Sequence, residues 1–206
     1  EKGAKLIKKL GLDYKDITYP TYKWVNPSIR SKGKVKTGEK TCRYIQYPDD
    51  RKSVLPMIEQ KLLSERKKMK KKMNMEKDPI LKEIYDGEQL AIKLTCNSLY
   101  GQVGAETSPI FMLDLAASVT ATGRKLLYMA RDKIQEKFDG AYALYGDTDS
   151  VFMNFSPKDE NGNLLKGKEG LQKAIDMGVA AEKYVQKFLE KPHKLEYEKT
   201  FWPFIL

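Results

Sequence analysis

The most informative stretch of the sequence is Tyr145-Gly146-Asp147-Thr148-Asp149-Ser150. It lies between two short apolar runs, at 141–145 and 151–155. Such runs joined by a few polar turn residues predict a β-hairpin, so we expect Asp147 and Asp149 at its tip. Carboxylates suit Mg²⁺, and two such ions can clamp the attacking and leaving oxygens of a phosphoryl transfer. The string could also be a simple polar turn, because Asp and Gly are common turn residues.

Upstream of this hairpin the sequence predicts a pair of antiparallel helices. The first is expected from about Ser53 to Met73, with Ser53 as its N-cap. The second begins where Asp78-Pro79 supplies an N-cap and a first-turn proline. Gly101 is a natural stop for this second helix, and Gly87 is a point where it can bend or split. Two helices joined by so short a break form a helical hairpin.

The remaining segments give weaker patterns. Residues 1–50 are strand-rich and irregular, with a hairpin expected around Thr37-Gly38. Further helices are predicted at about 109–138 and 168–191, and residues 194–199 alternate like a strand. The turn signals near the N-terminus are Tyr19-Pro20, Asn26-Pro27-Ser28 and Lys32-Gly33-Lys34.

Composition limits the classes of protein that fit. The chain has 206 residues and a net charge of +10. Between Arg51 and Lys77 there are ten Lys or Arg and three Glu, which suits a phosphate-rich partner or a solvated helix face. Cys42 and Cys96 are too few for a disulfide framework or a zinc site and indicate reduced thiols. No apolar run approaches the length that spans a bilayer, so no membrane partner is expected.

Two helical pairs of residues suggest a site for a triphosphate. Lys93 and Asn97 are four residues apart and therefore share a helix face. Lys93 can hold a triphosphate as a point charge, with Asn97 and Tyr100 near the sugar and base, although a surface Lys near a helix end stays open as the alternative. Arg66 and Lys70 have the same spacing on the first helix, and Arg can grip phosphate oxygens with two parallel hydrogen bonds. If the helices pair, these two residues would face Lys93 and Asn97.

Taken together, these strings resemble the family B DNA polymerases. Residues 93–101 match the family's fingers motif K-x-x-x-N-S-x-Y-G, and residues 145–150 match its palm motif Y-G-D-T-D-S letter for letter. The stretch 54–70 is similar to the helix before the fingers motif, and 195–204 is similar to the segment after the palm hairpin. The matches follow the family's order over residues 42–206, with an overall likeness to the delta-type polymerases of large eukaryotic DNA viruses.

The resemblance implies template-directed addition of deoxynucleoside triphosphates to a DNA primer 3′ end with two Mg²⁺ ions. Asp147 and Asp149 would be the catalytic, metal-binding residues. The residues implied to hold the incoming nucleotide are Arg66, Lys70, Lys93, Asn97 and Tyr100. Those implied to lie along the primer-template are Gly101, Thr148, Lys194, Glu196, Glu198 and Lys199. A processivity factor would be a further partner, and the protein would act inside the cell, in the nucleus or at a cytoplasmic viral replication site.

Two departures from the family pattern also shape the expectation. The family's D-x-x-S-L-Y-P-S-type motif, which carries another metal-binding Asp, occurs nowhere in the 206 residues. Its K-K-R-Y-type motif would follow soon after Phe204. We therefore expect a piece of a longer polymerase with little or no polymerase activity alone. The expected architecture is mixed α/β: palm-proximal strands at 1–50, a fingers helical hairpin at 51–104 and a partial palm at 105–206.

Two other classes of function stay open on the residues themselves. A non-catalytic nucleic-acid-binding module would explain the basic helices but not Asp147 and Asp149, which repel a phosphate backbone unless a metal intervenes. Another Mg²⁺-dependent transferase, such as a sugar-nucleotide glycosyltransferase, would explain the carboxylates but not the order of the four nucleotide-binding candidates in the helices.

Overall fold

The computed structural model describes residues 2–28, 33–48 and 51–204, and it confirms a mixed α/β fold. The chain divides into two compact units, residues 1–120 and 121–206, with the boundary inside the fourth helix. The elements in chain order are α1 Lys2–Lys9, β1 Asp13–Trp24, β2 Lys34–Gln46, α2 Val54–Met75, α3 Pro79–Gly104, α4 Leu113–Lys137, β3 Tyr142–Asp147, β4 Ser150–Asn154 and α5 Gly167–Val185, followed by a 3₁₀ turn, Gln186–Phe188.

Strands β1 and β2 form a long antiparallel β-ribbon in the first unit. The pairing runs from Asp13 opposite Gln46 to Trp24 opposite Lys34, with a bulge between Thr21 and Tyr22. The hairpin expected around Thr37-Gly38 is therefore wrong, because both residues lie inside β2 and the chain reverses between Trp24 and Lys34. Gly38 pairs with Thr21 beside the bulge, where a missing side chain is tolerated within a strand.

Three side chains anchor the ribbon to the start of α4. The buried Tyr19 and the Lys40 ammonium both donate to the Asp114 carboxylate, at 2.9 and 2.6 Å, and Tyr44 donates to the Ser118 hydroxyl at 2.8 Å. The hydrogen bonds from Lys40 and Tyr19 lower the pKa of Asp114. Burial and the Asp114 carboxylate raise the pKa of Tyr19. These contacts hold the half of the ribbon that contains the start of β1 and the end of β2.

Helices α2 and α3 form the predicted helical hairpin. The Asp78 carboxylate accepts from the backbone N–H groups of Ile80 and Leu81, as an N-cap does, whereas Ser53 occupies its N-cap position without a side-chain bond. Helix α3 is continuous through Gly87 and passes Gly101 to end at Gly104, so it does not split at Gly87 and the expected stop at Gly101 is wrong.

The longer α3 has a packing reason. Val103 is buried, and its carbonyl accepts from Met112 N–H at 2.8 Å. A Cβ at Gly104 would lie 3.6 Å from Ala116, so the chain approaches α4 closely at this point. Such tertiary contacts outweigh the roughly 1 kcal/mol by which Gly disfavours a helix.

The core of the second unit lies between α4 and α5. Ala130 and Ile134 of α4 pack against Ala181 and Val185 of α5, and Met153 of β4 packs against this cluster. The helix predicted to reach Lys191 ends at Val185 and gives way to the 3₁₀ turn.

Residues 194–199 form no strand, which corrects the prediction from their alternation. Backbone N–H groups of this segment donate instead to side chains of α5 and the 3₁₀ turn. Tyr197 N–H donates to Glu182, and Leu195 N–H donates to Gln186. The alternation itself is real, since Leu195 and Tyr197 are half-buried and Lys194, Glu196 and Glu198 are exposed. The alternation of the sequence identified which side chains are half-buried, but it did not show that the segment bonds to helical side chains instead of another strand.

None of the helices in the described part of the chain combines the length and the apolar character that crossing a membrane requires.

Candidate active site

The two predicted catalytic carboxylates lie at the tip of the β3–β4 hairpin. Asp147 pairs with Ser150 as the last pair of the ladder, so Thr148 and Asp149 form a two-residue turn. Thr148 has φ +50°, a left-handed conformation that is uncommon for a β-branched residue. Strained backbone of this kind clusters at functional sites. The hairpin prediction is therefore confirmed, and the turn holds two carboxylates one residue apart in an exposed position.

Short polar contacts fix Asp147 more than Asp149. Thr148 Oγ1 donates to the Asp147 carboxylate at 3.0 Å, and Ser150 Oγ donates to the Asp147 carbonyl at 3.1 Å. Asp149 makes no hydrogen bond or ion pair with any described residue. Its carboxylate oxygens are therefore available to a ligand without breaking an internal contact.

The body of the hairpin is held from both sides. Ala143 N–H donates to the Gln135 side chain of α4 at 3.0 Å, and a Cβ at Gly146 would meet Leu127 at 3.9 Å. Phe152 of β4 stacks on Phe201 with ring centroids 5.9 Å apart. Its further aromatic neighbours are Tyr145 and Phe204. This aromatic cluster was not predicted, since its members are distant in sequence and only their placement brings them together.

The carboxylates of Asp147 and Asp149 supply part of the oxygen ligands that a hard divalent cation needs. Two exposed carboxylates can supply protein oxygens to Mg²⁺, which commonly takes one or two carboxylates together with substrate phosphates and water. Among the described residues, no cluster of three or more His, Cys, Asp or Glu is placed to hold a metal. Asp147 and Asp149 thus match a metal site that is completed by the substrate, rather than an all-protein cage.

In the first unit, Arg66 links the two helices of the hairpin. Its Nε donates to the Gln89 side chain at 3.1 Å, and Gln89 in turn donates to Asp86 at 2.9 Å. Gln89 is buried, with 8% of its surface exposed. The sequence analysis missed Gln89, although its spacing of four from Lys93 and seven from Cys96 places all three near one face of α3.

A second contact fixes the register of the two helices. Burial, with the Glu59 side chain beside it, raises the pKa of the Cys96 thiol. Glu59 therefore lies at the level of Cys96, as Arg66 lies at the level of Gln89. Lys93 falls between these two levels, so the structure places Arg66 and Lys93 within one to two turns of each other.

The nucleotide-binding candidates form a row along the helices rather than one point. Lys70 lies one turn beyond Arg66 on the same stripe, and Asn97 follows Cys96. At about 1.5 Å per residue, the levels of Lys70 and Asn97 are roughly 18 Å apart. Lys70, Lys93 and Asn97 are exposed, and none of their side chains has a hydrogen bond or ion pair to another described residue. The row offers three cations and one amide along its length.

The other predicted residues are placed separately. Tyr100 is partly exposed, and its hydroxyl donates to the Ala116 carbonyl at 3.2 Å. A Cβ at Gly101 would meet no atom within 4 Å. In the second unit Lys194, Glu196 and Glu198 are exposed, and the Lys199 ammonium lies 3.9 Å from the Glu198 carboxylate. Their predicted contact with a primer-template remains a prediction.

Comparisons with known proteins decide the family. The sequence profile described as DNA polymerase family B matches residues 18–206. The chain belongs to DNA polymerase family B. It is 41% identical to a DNA polymerase of Pyramimonas orientalis virus over 95% of this chain, and 39% identical to a DNA polymerase of Phaeocystis pouchetii virus over 93%. It is 33% identical to the DNA polymerase delta catalytic subunit of Drosophila melanogaster over 79%.

These matches confirm both the family and the viral and delta-type likeness inferred from the motifs. The chain spans about a fifth of the length of the two viral relatives, 19% and 20%, and 15% of the Drosophila subunit. The family B match includes both the α2–α3 hairpin and the β3–β4 hairpin. A sugar-nucleotide transferase, left open by the carboxylates alone, does not account for this membership.

Proposed function

We propose that this chain supplies the fingers and part of the palm of a template-directed DNA polymerase. In this proposal residues 51–104 are the fingers, 105–206 the partial palm, and 1–50 a palm-proximal segment. The observation that carries it is the hairpin tip that presents Asp147 and Asp149 in a chain that belongs to DNA polymerase family B. The reaction is attack of a primer 3′-hydroxyl on the α-phosphate of a deoxynucleoside triphosphate, with pyrophosphate as the leaving group.

Asp147 and Asp149 would hold two Mg²⁺ ions. When bound, such ions stabilise the attacking and leaving oxygens of an in-line displacement. Thr148 bonds the Asp147 carboxylate and Ser150 bonds its carbonyl, while the Asp149 side chain has no partner among the described residues. We therefore assign Asp149 as the ligand that contacts the metal most directly.

The row of cations on α2 and α3 would bind the triphosphate. Lys70 and Lys93 offer ammonium groups with no competing carboxylate among the described residues. Arg66 is partly shielded and oriented by Gln89 through its Nε, which leaves its terminal nitrogens for phosphate oxygens. Asn97 and Tyr100 would lie toward the sugar and the nascent base pair. Such fixed donors aimed at developing negative charge are a major source of catalysis.

The proposal includes the partners and the place of action. The substrates are a DNA primer-template and deoxynucleoside triphosphates, and a processivity factor is a further partner. Gly101, Thr148 and the exposed residues of 194–199 would line the primer-template. Replication inside a cell, in the nucleus or at a cytoplasmic viral site, is the setting that the viral and delta-type relatives suggest.

Two adjacent lysines test the nucleotide site. In the full-length polymerase that contains this sequence, Lys70→Ala should raise the KM for deoxynucleotide about tenfold or more, since a hydrogen bond to a charged group contributes about 1.5–3 kcal/mol. Lys93→Ala should do the same. Lys71→Ala is the matched control, because Lys71 is equally exposed but lies about 100° further round α2. Equal effects of Lys70→Ala and Lys71→Ala on KM would refute the assignment.

The metal site can be tested without catalysis. Titration of the 206-residue chain with Mn²⁺ should broaden the amide NMR signals of residues 147–150 before others, because the paramagnetic ion relaxes nearby protons. Asp149→Asn should weaken this effect. Broadening that is unchanged in Asp149→Asn would place the ion elsewhere.

A further inference from the structure

The β-ribbon extends well beyond the residues that anchor it. Tyr19, Lys40 and Tyr44 hold one half of the ribbon, the anchored half, against α4. The outer half, which we call the ribbon tip, consists of 21–24 and 34–38. From Pro20 to Trp24 it projects about 13 Å, at roughly 3.3 Å per residue. No side chain in it is buried, so packing against the rest of the chain does not explain its sequence.

One face of the ribbon tip alternates aromatic and cationic side chains. Residues directly opposite in a ladder share a face. The pairs Tyr22–Lys36 and Trp24–Lys34 therefore place two aromatic rings and two ammonium groups on one face. The Lys34 ammonium lies 4.4 Å from the centre of the Trp24 ring, and Tyr22 is 52% exposed. Lys23, opposite Val35, lies on the other face.

The sequence around the ribbon tip is strongly basic. From Thr21 to Gly38 the sequence holds five Lys or Arg and no Asp or Glu. Lys36 is paired with Glu39 just outside the tip at 2.7 Å, whereas Lys34 has no carboxylate partner among the described residues. Pairing of the strand edges with another copy is disfavoured, because lysines along an exposed strand oppose edge-to-edge association. A polyanion with flat apolar groups is the ligand that this face fits.

We propose that the ribbon tip binds single-stranded nucleic acid, with a base stacked on Tyr22 and a phosphate at Lys34. Exposed aromatic rings accept any base, and nearby cations follow the phosphate backbone, which is the general mode of single-strand binding. The inference rests on the proposed function, since a polymerase meets an unpaired template strand. It adds a contact outside the residues that bind the nucleotide and the metal.

A pair of tyrosines on the same strand tests the stacking. Binding of fluorescein-labelled oligothymidylate to the 206-residue chain is measured by fluorescence anisotropy. Tyr22→Leu should weaken binding about fivefold or more, as expected for loss of one stacked base. Tyr14→Leu is the control: Tyr14 is 46% exposed on the anchored half, where Arg43 lies 3.9 Å above its ring. It should change affinity by less than twofold, within about 0.4 kcal/mol.

A pair of lysines on opposite faces tests the phosphate contact. The logarithm of the binding constant falls linearly with the logarithm of the salt concentration, with a slope of about 0.7 per neutralised phosphate of a single strand. Lys34→Gln should therefore reduce the slope by about 0.7, and Lys23→Gln should leave it nearly unchanged. This measurement separates a phosphate contact from a general loss of charge, because both variants change the net charge equally.

The outcomes are distinct from those of the nucleotide test. Equal losses for Tyr22→Leu and Tyr14→Leu, no binding of the oligonucleotide, or tighter binding of a duplex of the same length would each overturn the proposal. Each of these results leaves the KM effects of Lys70→Ala and Lys93→Ala as they are. Conversely, a lost KM effect with the Tyr22 and Lys34 results intact would refute the assignment of Lys70 and Lys93 to the nucleotide and leave the ribbon proposal standing.

Discussion

Replacing Gly178 by Ala tests the packing that holds the segment after α5. A Cβ at Gly178 would lie 2.8 Å from Cδ2 and from Cε2 of the Tyr197 ring, closer than carbon atoms tolerate. Tyr197 is also tied by its backbone N–H to Glu182 and by its hydroxyl to Thr200 at 2.6 Å. Moving the ring aside would therefore break the hydroxyl bond to Thr200.

The change in the free energy of unfolding caused by Gly178→Ala is the balance of two opposing effects. Overpacking of a fitted site costs about 1–3 kcal/mol. Gly→Ala inside a helix gains about 0.8–1.0 kcal/mol through helix propensity. Gly123→Ala in α4 is the matched control, since a Cβ there meets no atom within 4 Å and only the gain applies. Both glycines belong to the unit 121–206, so the difference between the two variants isolates the clash and should be about 1–3 kcal/mol.

Tryptophan fluorescence can follow this unit alone. The chain has two Trp, Trp24 in the first unit and Trp202 in the second, so in a Trp24→Phe background Trp202 reports on the second unit. Urea unfolding should show Gly178→Ala less stable than Gly123→Ala. In a Tyr197→Ala background the clash is removed, and Gly178→Ala should then be as favourable as Gly123→Ala. Equal stabilisation by both substitutions with Tyr197 present would refute the close packing.

Three further predictions concern the ribbon anchor, the turn and the helical hairpin. The pKa of Asp114 is lowered from 3.8, so the ionised carboxylate stabilises the fold above that pH, and this contribution is lost as the pH falls through the lowered pKa. Asp114→Asn should therefore flatten this part of the acid-unfolding curve measured by circular dichroism. Thr148→Gly should raise the free energy of unfolding, measured with urea, by up to about 1 kcal/mol because it relieves the left-handed strain, and a clear loss of stability would contradict that reading. Gln89→Ala should cost about 1 kcal/mol of stability by removing the Arg66 bond, and an unchanged midpoint would show that the bond contributes nothing.

Local sequence patterns predicted the elements that contain the candidate site residues. The apolar runs around Asp147 and Asp149 gave the β3–β4 hairpin, and Asp78-Pro79 gave the start of α3 with a working N-cap. These predictions succeeded because capping and strand alternation depend on neighbouring residues. The family motifs then identified the chain's relatives, and the profile match confirmed them.

The predictions that failed depended on distant contacts. Helix α3 continues past Gly101 because Val103 is buried and Gly104 packs against Ala116. Thr37-Gly38 lies within a strand, because the ribbon turns further back along the chain. Likewise, no local pattern could reveal that the alternating segment 194–199 bonds to α5 side chains instead of another strand.

The sequence predicted which residues form the candidate nucleotide site, but it did not predict how they are arranged. Sequence reasoning placed Arg66, Lys70, Lys93 and Asn97 on two facing helices, and the structure spreads them in a row. The bond that fixes the register comes from Gln89, a residue with no motif of its own. Its role could be seen only once the two helices were docked.

Primer extension by the full-length polymerase that contains this sequence, with Asp149→Asn compared against Asp139→Asn, tests whether the β3–β4 hairpin binds the catalytic metal. Asp139 lies in the same unit with a side chain 95% exposed, so its substitution should leave turnover near normal. Asp149→Asn should lower kcat by about 100-fold or more, as loss of a key electrostatic group does, while primer-template affinity is retained. Near-normal turnover of Asp149→Asn would contradict the assignment of this hairpin as the metal-binding centre.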